Sequence, residues 1–391
     1  MTRSALPEDA LPPPNFARLK TLHLIVWFEY ASTLAIFDRV GMLDRELAIY
    51  RRLRPHLRAL TLITWSRGED AAYVERLGGI GLVHNKLEWT WPVWMAILLA
   101  TFGLRFPGPR LVKTNQMSGA RHILRVAKFW RTKLVARCGY PWSLFATRER
   151  GPDDPVTREA IATERAVFRG AAHVVGSTEE IATLAIERDG VPQDHVSVVP
   201  NYVDADLLSP GPSAPRAKKR IGFLGRFENQ KNPSALIEAV AGLDVELVMV
   251  GEGSLRHEMA ALGSRLGVDL KLPGNMPHRD LPEFFRGLDL FVLPSLFEGH
   301  PKALLEAMSC GLPVIGADSP GIREVLRDGE TGVLTKPDAP SIRVAIDRVF
   351  ADDDLAAYLG RNARDEILRT VSLDRTIERE LRVLSFAARP T

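Results

Sequence analysis

Cysteine is scarce in this chain of 391 residues: only Cys138 and Cys310 occur, far apart and at no metal-binding spacing. A disulfide scaffold and a cysteine-ligated metal module are therefore excluded, and reduced thiols in a cytosolic protein are the simplest account. Long apolar runs are lacking too. The most apolar segment, 87–103, has an uninterrupted part of only 92–100, short of the about 20 residues that cross a bilayer. Residues 1–18 lack the apolar core of a secretion signal and, with Pro7 and Pro12 to Pro14, are expected to form a loose tail. Strong charge of one sign is absent overall, since the net charge is +3, and no standard nucleic-acid motif is present. No nucleic-acid partner is expected.

What is present is an ordinary globular composition, 46% hydrophobic and 25% charged, in a chain long enough for two domains. Strand-like and helix-like segments alternate: strands are expected at 21–28, 59–64, 80–84, 110–115, 133–136 and 172–177, with helices at 38–53, 70–77 and 163–169 between them. Such alternation means parallel sheets covered on both faces. Positive charge is local, with eleven Arg or Lys against the single acid Glu149 in 101–150. Within that window, 121–137 reads as a basic amphipathic stretch, Arg121, Arg125, Lys128 and Arg131 forming one row. It reads either as an ordinary solvated face or as a surface for anionic lipid headgroups. The segment 87–103, with Trp89, Trp91 and Trp94 at one end, reads either as a core helix or as interfacial anchors.

The second half repeats the alternation, with strands expected at 220–224, 246–250, 270–272, 290–293 and 312–316 and helices at 280–288, 321–326, 340–350, 355–367 and 373–387. Chemistry concentrates in 289–315. There a short apolar strand feeds a loop containing Glu298, and Pro301 opens a helix that Gly311 and Pro313 end. Amides of Lys302, Ala303 and Leu304 at that helix N-terminus would suit a phosphate, and Glu298 and Glu306 can hold hydroxyl groups at two depths. At the end of 220–224, Gly225 hinges a loop whose Arg226 and Lys231 can reach one diphosphate. Gly251 and Gly253 resemble half of a dinucleotide fingerprint, but the third glycine and the strand-end acid of a dehydrogenase are missing; they would give close backbone approach to a nucleotide.

The run from Gly299 to Ile315, followed by Gly321 to Val325 and Asp328 to Leu334, closely resembles the donor half of GT-B glycosyltransferases of the GT4 type, over roughly 195–340. The resemblance implies an α/β fold of two Rossmann-like parallel-sheet domains facing each other across a cleft. It implies a tail at 1–18, an acceptor-binding domain at 19–208, a linker at 209–217, a nucleotide-sugar-binding domain at 218–370 and a helix at 371–391 crossing back to the first domain. It assigns Arg226 and Lys231 to the diphosphate and Glu298 to the transferred sugar as catalytic residues. Gly225, Gly251, Gly253, Gly299, Lys302, Ala303 and Leu304 join them on the donor side, where Glu306 holds the ribose and the backbone at Asn275 and Met276 holds the base. Relatives often carry a histidine at the end of the strand where this chain has Arg137 and Cys138; with Asn115, these are the expected acceptor-side residues. A cysteine nucleophile is disfavoured for want of a partner base. Of the usual glycine-rich turn after the first strand, only Gly41 remains.

The implied activity is retaining, metal-independent transfer from a UDP- or GDP-sugar, without a cofactor, to an acceptor hydroxyl. A lipid-linked glycan in cell-surface polysaccharide synthesis, met at the inner face of the membrane by a cytoplasmic, peripherally bound protein, is the expected acceptor, and a soluble acceptor is the alternative. The rivals are a sugar-nucleotide-binding partner subunit that has lost catalysis and a pyridoxal-dependent phosphorylase on the same fold.

Overall fold

The structure is a computed structural model that describes residues 11–28, 32–139, 141–212 and 216–390. Expectations placed on 1–10, on Tyr140 and on 213–215 within the linker lie outside these residues. The described residues through Arg39, Arg45–Pro200 and those from Thr376 onward form one compact unit, and Val40–Asp44 with Asn201–Arg375 form a second.

The first unit is built on a parallel sheet of β1 (His23–Trp27), β2 (Ala59–Ile63), β3 (Gly81–Val83), β4 (Arg110–Thr114), β5 (Lys133–Cys138), β6 (His173–Gly176) and β7 (Val196–Val198). Its order is β3-β2-β1-β4-β5-β6-β7. All five residues of β1 are buried, as a central strand covered on both faces requires. In register, Val26 sits between Leu62 of β2 and Lys113 of β4. The chain runs outward from β1 to β3 and then returns to β4, so the switch point lies between β1 and β4.

The second unit carries β8 (Lys219–Leu224), β9 (Val245–Val250), β10 (Asp269–Gly274), β11 (Leu290–Leu293), β12 (Val314–Ala317) and β13 (Val333–Thr335), ordered β10-β9-β8-β11-β12-β13 and all parallel. Both faces are filled; Phe223, Phe227, Phe285 and Phe291 are fully buried among Leu and Ile. Burying such a ring contributes about 1.5–3 kcal/mol.

Several expected elements differ. The helix expected at 38–53 is two helices, Leu34–Arg39 and Leu43–Leu53. Gly41 between them takes φ +75, which a continuous right-handed helix cannot hold. The expected helix at 321–326 is a run of turns closing on Leu326 N–H to Ile322 C=O at 3.0 Å. Glu69–Leu77 is 3-10 rather than α-helical. The basic row breaks after Phe129, where the helix Ala120–Phe129 ends, and Arg131 lies beyond it at φ +47. Helix Trp142–Arg150 was not expected, whereas Glu179–Thr183 follows the cap expected at Ser177 or Thr178, with Thr178 as the N-cap.

Residues 11–18 are not loose. Leu11 is buried and its carbonyl accepts from Arg382, while Asn15 caps the helix Phe16–Thr21. At 209–212 the chain is pinned as well, Ser209 accepting two bonds from Arg286 at 2.9 and 3.2 Å. Among the described residues no helix is long and apolar enough to cross a membrane. The helix Trp91–Arg105 buries one stripe, Trp94, Leu98 and Phe102, while Leu104 is 81% exposed. It is a core helix on that stripe alone.

Candidate functional site

In the second unit, the chain leaves β8 at Gly225 and turns through Phe227 into a short 3-10 segment, Asn229–Lys231. Leaving β11, it turns through Ser295 to His300 into the helix Lys302–Ser309. β8 and β11 are neighbours on either side of the switch point, so both loops emerge at the same carboxyl edge, where open α/β sheets bind ligands. Lys231 Nζ lies 2.6 Å from Glu298 Oε1, with only 16% and 7% of the two side chains exposed. These two expected site residues are therefore brought into direct contact.

Gln230, which carries no motif, ties the loops together. Its carbonyl accepts from Leu296 N–H at 2.9 Å, its side-chain amide donates to Phe297 C=O at 2.8 Å, and its Oε1 lies 3.5 Å from the Arg226 guanidinium. Arg226 itself is exposed. Behind the Glu298 loop, the Glu298 amide donates to Pro320 C=O at 2.9 Å. Gly321, at φ +80, lets that segment approach so closely that a Cβ would sit 2.4 Å from the Gly299 oxygen and 2.5 Å from the Glu298 oxygen. The glycine after Pro320 is thus a packing requirement of the Glu298 loop.

Gly251 and Gly253 show the same logic. A Cβ on Gly251 would stand 1.9 Å from the Gly225 oxygen, and one on Gly253 2.4 Å from the Phe227 oxygen. The close approach displayed there is of the 225–228 loop to the end of β9. Glu228 completes the junction by accepting from the backbone and hydroxyl of Ser254, and these bonds hold its carboxyl below the usual range. Gly251 N–H donates to Gly274 C=O at 2.9 Å, which joins the 273–277 loop bearing Asn275 and Met276 to the same edge.

The helix Lys302–Ser309 begins one residue later than expected, with Pro301 at its N-cap. Leu304 N–H donates to Pro301 C=O at 3.1 Å, so the expected free amide at Leu304 is taken: the first turn closes upon its own cap. Lys302 Nζ stands 5.9 Å from the centre of the Tyr202 ring, and Asn201 donates to His300 C=O at 2.8 Å. Glu306 is 1% exposed, and His278 Nε2 lies 3.6 Å from its Oε1. His278 went unnoticed in the sequence because it sits 28 residues before Glu306 and only the fold makes them neighbours. Its amide donates to Gly41 C=O at 2.8 Å, so Gly41 rests on Met276 and Pro277. Burial pushes the Cys310 thiol up to about 12, which removes it as a nucleophile.

The three residues expected on the acceptor side lie in the first unit, where each has partners within the chain. Asn115 Oδ1 accepts from the Tyr50 hydroxyl at 2.7 Å. Arg137 donates to Val199 C=O at 3.2 Å and lies 3.8 Å from Glu380, and Cys138 is fully buried. Glu380 also accepts from Lys113, which is buried in β4. The buried ring nitrogens of His23 and His173 meet the hydroxyls of Thr61 and Ser197 at 2.9 and 2.8 Å. Burial first of all depresses both histidines to about 4.

Two parallel-sheet units with a loop-and-helix site at the switch point of the second define the GT-B class, and solved structures agree. The fold matches Anabaena HepE in complex with UDP and glucose at a TM-score of 0.74 and 17% identity, over 93% of this chain and 99% of that one. A glycosyltransferase of Rickettsia africae matches at 0.74 and 17%, over 95% and 100%. Residues 207–366 match the family described as Glycosyl transferases group 1. Among curated relatives, a D-inositol 3-phosphate glycosyltransferase of Thermomonospora curvata is 31% identical over 60% of this chain and 62% of its own length. A 2-deoxystreptamine glucosyltransferase of Streptomyces kanamyceticus is 30% identical over 45% and 50%. The matched part thus spans about half to three fifths of these relatives.

Proposed function

We infer that the protein is a retaining glycosyltransferase that moves a sugar from a nucleoside diphosphate sugar, with UDP or GDP leaving, to an acceptor hydroxyl. The contact between Lys231 and Glu298 carries this reading. As the glycosidic bond breaks, negative charge builds on the diphosphate and positive charge on the sugar ring. A cation and an anion 2.6 Å apart meet both charges when a donor lies along them. Lys231 and Arg226 stabilise the leaving diphosphate, and the N-terminus of the helix Lys302–Ser309 adds to them. Glu298 orients the sugar hydroxyls and supports the ring cation. Glu306, held beside His278, takes the ribose, and the backbone of 273–277 takes the base. Charge neutralisation comes from side chains and the helix end, so the reading needs no metal.

For the acceptor, the relatives' names favour a small polyol, phosphorylated in one case. The basic helix Ala120–Phe129 favours a lipid-linked glycan at an anionic membrane face. Sedimentation with anionic vesicles at low salt tests the second, which fails if the protein stays in solution.

Turnover of UDP- and GDP-sugars, with the anomeric configuration of the product read by NMR, tests the activity. Retained configuration is expected. An inverted product contradicts the mechanism, and a protein that binds nucleotide yet turns over no donor is the non-catalytic partner subunit instead.

A further inference from the structure

A pocket of about 840 Å3 opens in the first unit, and the reading above makes no use of it. Its walls come from segments that follow three strands: Trp91 after β3, Gln116 to Gly119 after β4, and Trp142 after β5. It therefore lies at the carboxyl edge of the sheet beside the switch strand β4, and its size suits a small molecule.

The chemistry of its walls is specific. Arg121 and Arg125 stand one turn apart on the helix Ala120–Phe129, and among the described residues neither is in an ion pair. Two unpaired guanidiniums on one wall make an anion site, with planar forks that match phosphate oxygens. His122 lines the same wall, and burial followed by Arg125 and Arg121 lowers its pKa. A neutral imidazole there can both donate to and accept from a ligand.

Aromatic rings complete the frame. Trp91 stands 3.8 Å, centre to centre, from Trp65, whose Nε1–H donates to Phe28 C=O at 2.6 Å, and Trp91 also meets His122 edge-on at 5.9 Å. Trp91 is thus held in place before any ligand arrives. Trp142, 38% exposed, lines the pocket from another helix. Gln116 is fixed by accepting from Gly139 N–H at 2.9 Å, which leaves its side-chain NH2 to donate. The single acid in the lining, Glu159, is in no ion pair among the described residues and can accept from a hydroxyl.

We propose that this pocket binds a phosphate-bearing sugar or polyol as the glycosyl acceptor, Arg121 and Arg125 holding the phosphate while Trp91 and Trp142 cover the ring. The proposal rests on the glycosyltransferase reading for the word acceptor, but the phosphate site stands on its own geometry. Glu159 and Gln116 then take ring hydroxyls, and the two-guanidinium wall discriminates against the unphosphorylated ring.

The test is calorimetry on the full chain with inorganic phosphate, inositol 3-phosphate and unphosphorylated inositol, together with sedimentation on phosphatidylinositol and phosphatidylcholine vesicles. UDP and GDP titrations on the same samples report the donor side separately. Phosphate-dependent binding that weakens about tenfold or more in each of Arg121→Gln and Arg125→Gln, with nucleotide binding unchanged, is expected. Binding of the soluble phosphates assigns a free sugar phosphate; binding confined to phosphatidylinositol vesicles and lost in the variants assigns a lipid headgroup. Nucleotide binding with no phosphate-dependent binding, or with variants that bind phosphate as the parent does, overturns the proposal alone. Phosphate binding without any nucleotide binding keeps the site and overturns the glycosyltransferase reading.

Discussion

Lys231 and Glu298, 67 positions apart in the chain, meet at 2.6 Å and are nearly shielded from water. Each is the other's counter-ion, so neither charge is buried alone. On the proposed reading, a diphosphate that draws Lys231 toward itself would free Glu298 for the sugar.

Removing one member of that pair is therefore expected to harm more than removing both. Lys231→Ala should lower stability by about 1–3 kcal/mol, since it strands a largely buried carboxylate. Lys231→Ala with Glu298→Gln should recover part of that loss. Urea unfolding of the two single variants and the double variant checks this; strict additivity would show that the pair is not coupled.

Gly321→Ala should be among the most damaging single-atom-scale changes in the second unit. The new Cβ would meet the Glu298 and Gly299 oxygens at 2.5 and 2.4 Å from a backbone at φ +80. A loss of about 2 kcal/mol or more is expected, together with loss of donor binding. A variant with parental melting temperature would refute this account of the loop.

Gln230→Ala should leave the fold intact and weaken donor binding by about 0.5–1.5 kcal/mol, because the amide that links Phe297 to the Arg226 loop is lost. Circular dichroism melting beside nucleotide titration separates the two effects, and unchanged nucleotide affinity would count against the role.

Acid should destabilise the first unit before it touches most carboxylates. His173 is buried and depressed to about 4 in the folded state, against about 6.5 when unfolded. The unfolded chain therefore binds the proton first. The contribution is fully present above pH 6.5 and is lost as pH falls toward 4, by roughly 1–3 kcal/mol. Urea midpoints at pH 7 and pH 5 for the parent and His173→Gln check it: the variant should show the smaller drop.

Much of the second unit was legible in the sequence because local rules and tertiary packing agree there. β11 falls at Leu290–Leu293 as expected, a short apolar run bounded by Asp289 and Pro294. The segment 321–326 reads as helical from its apolar spacing, but its backbone is committed to cradling Glu298, so it stays as turns. The split of 38–53 turns on Gly41, whose positive φ serves a contact with Met276 and Pro277 that no local pattern records. Gln230 and His278 escaped for the same reason: each works through a partner distant in sequence. The partners of Arg137 and Asn115, Glu380 and Tyr50, are likewise remote in sequence and could not be read from it.

The most direct test of the donor site is calorimetric titration of UDP, GDP and ADP into the parent, Lys231→Ala and Glu306→Ala. One nucleotide should bind, and each substitution should weaken it by about 1–3 kcal/mol, as expected for lost charged hydrogen bonds. Binding that is equally tight in all three proteins, or no binding of any nucleotide, would contradict the placement of the donor along Lys231, Glu298 and Glu306.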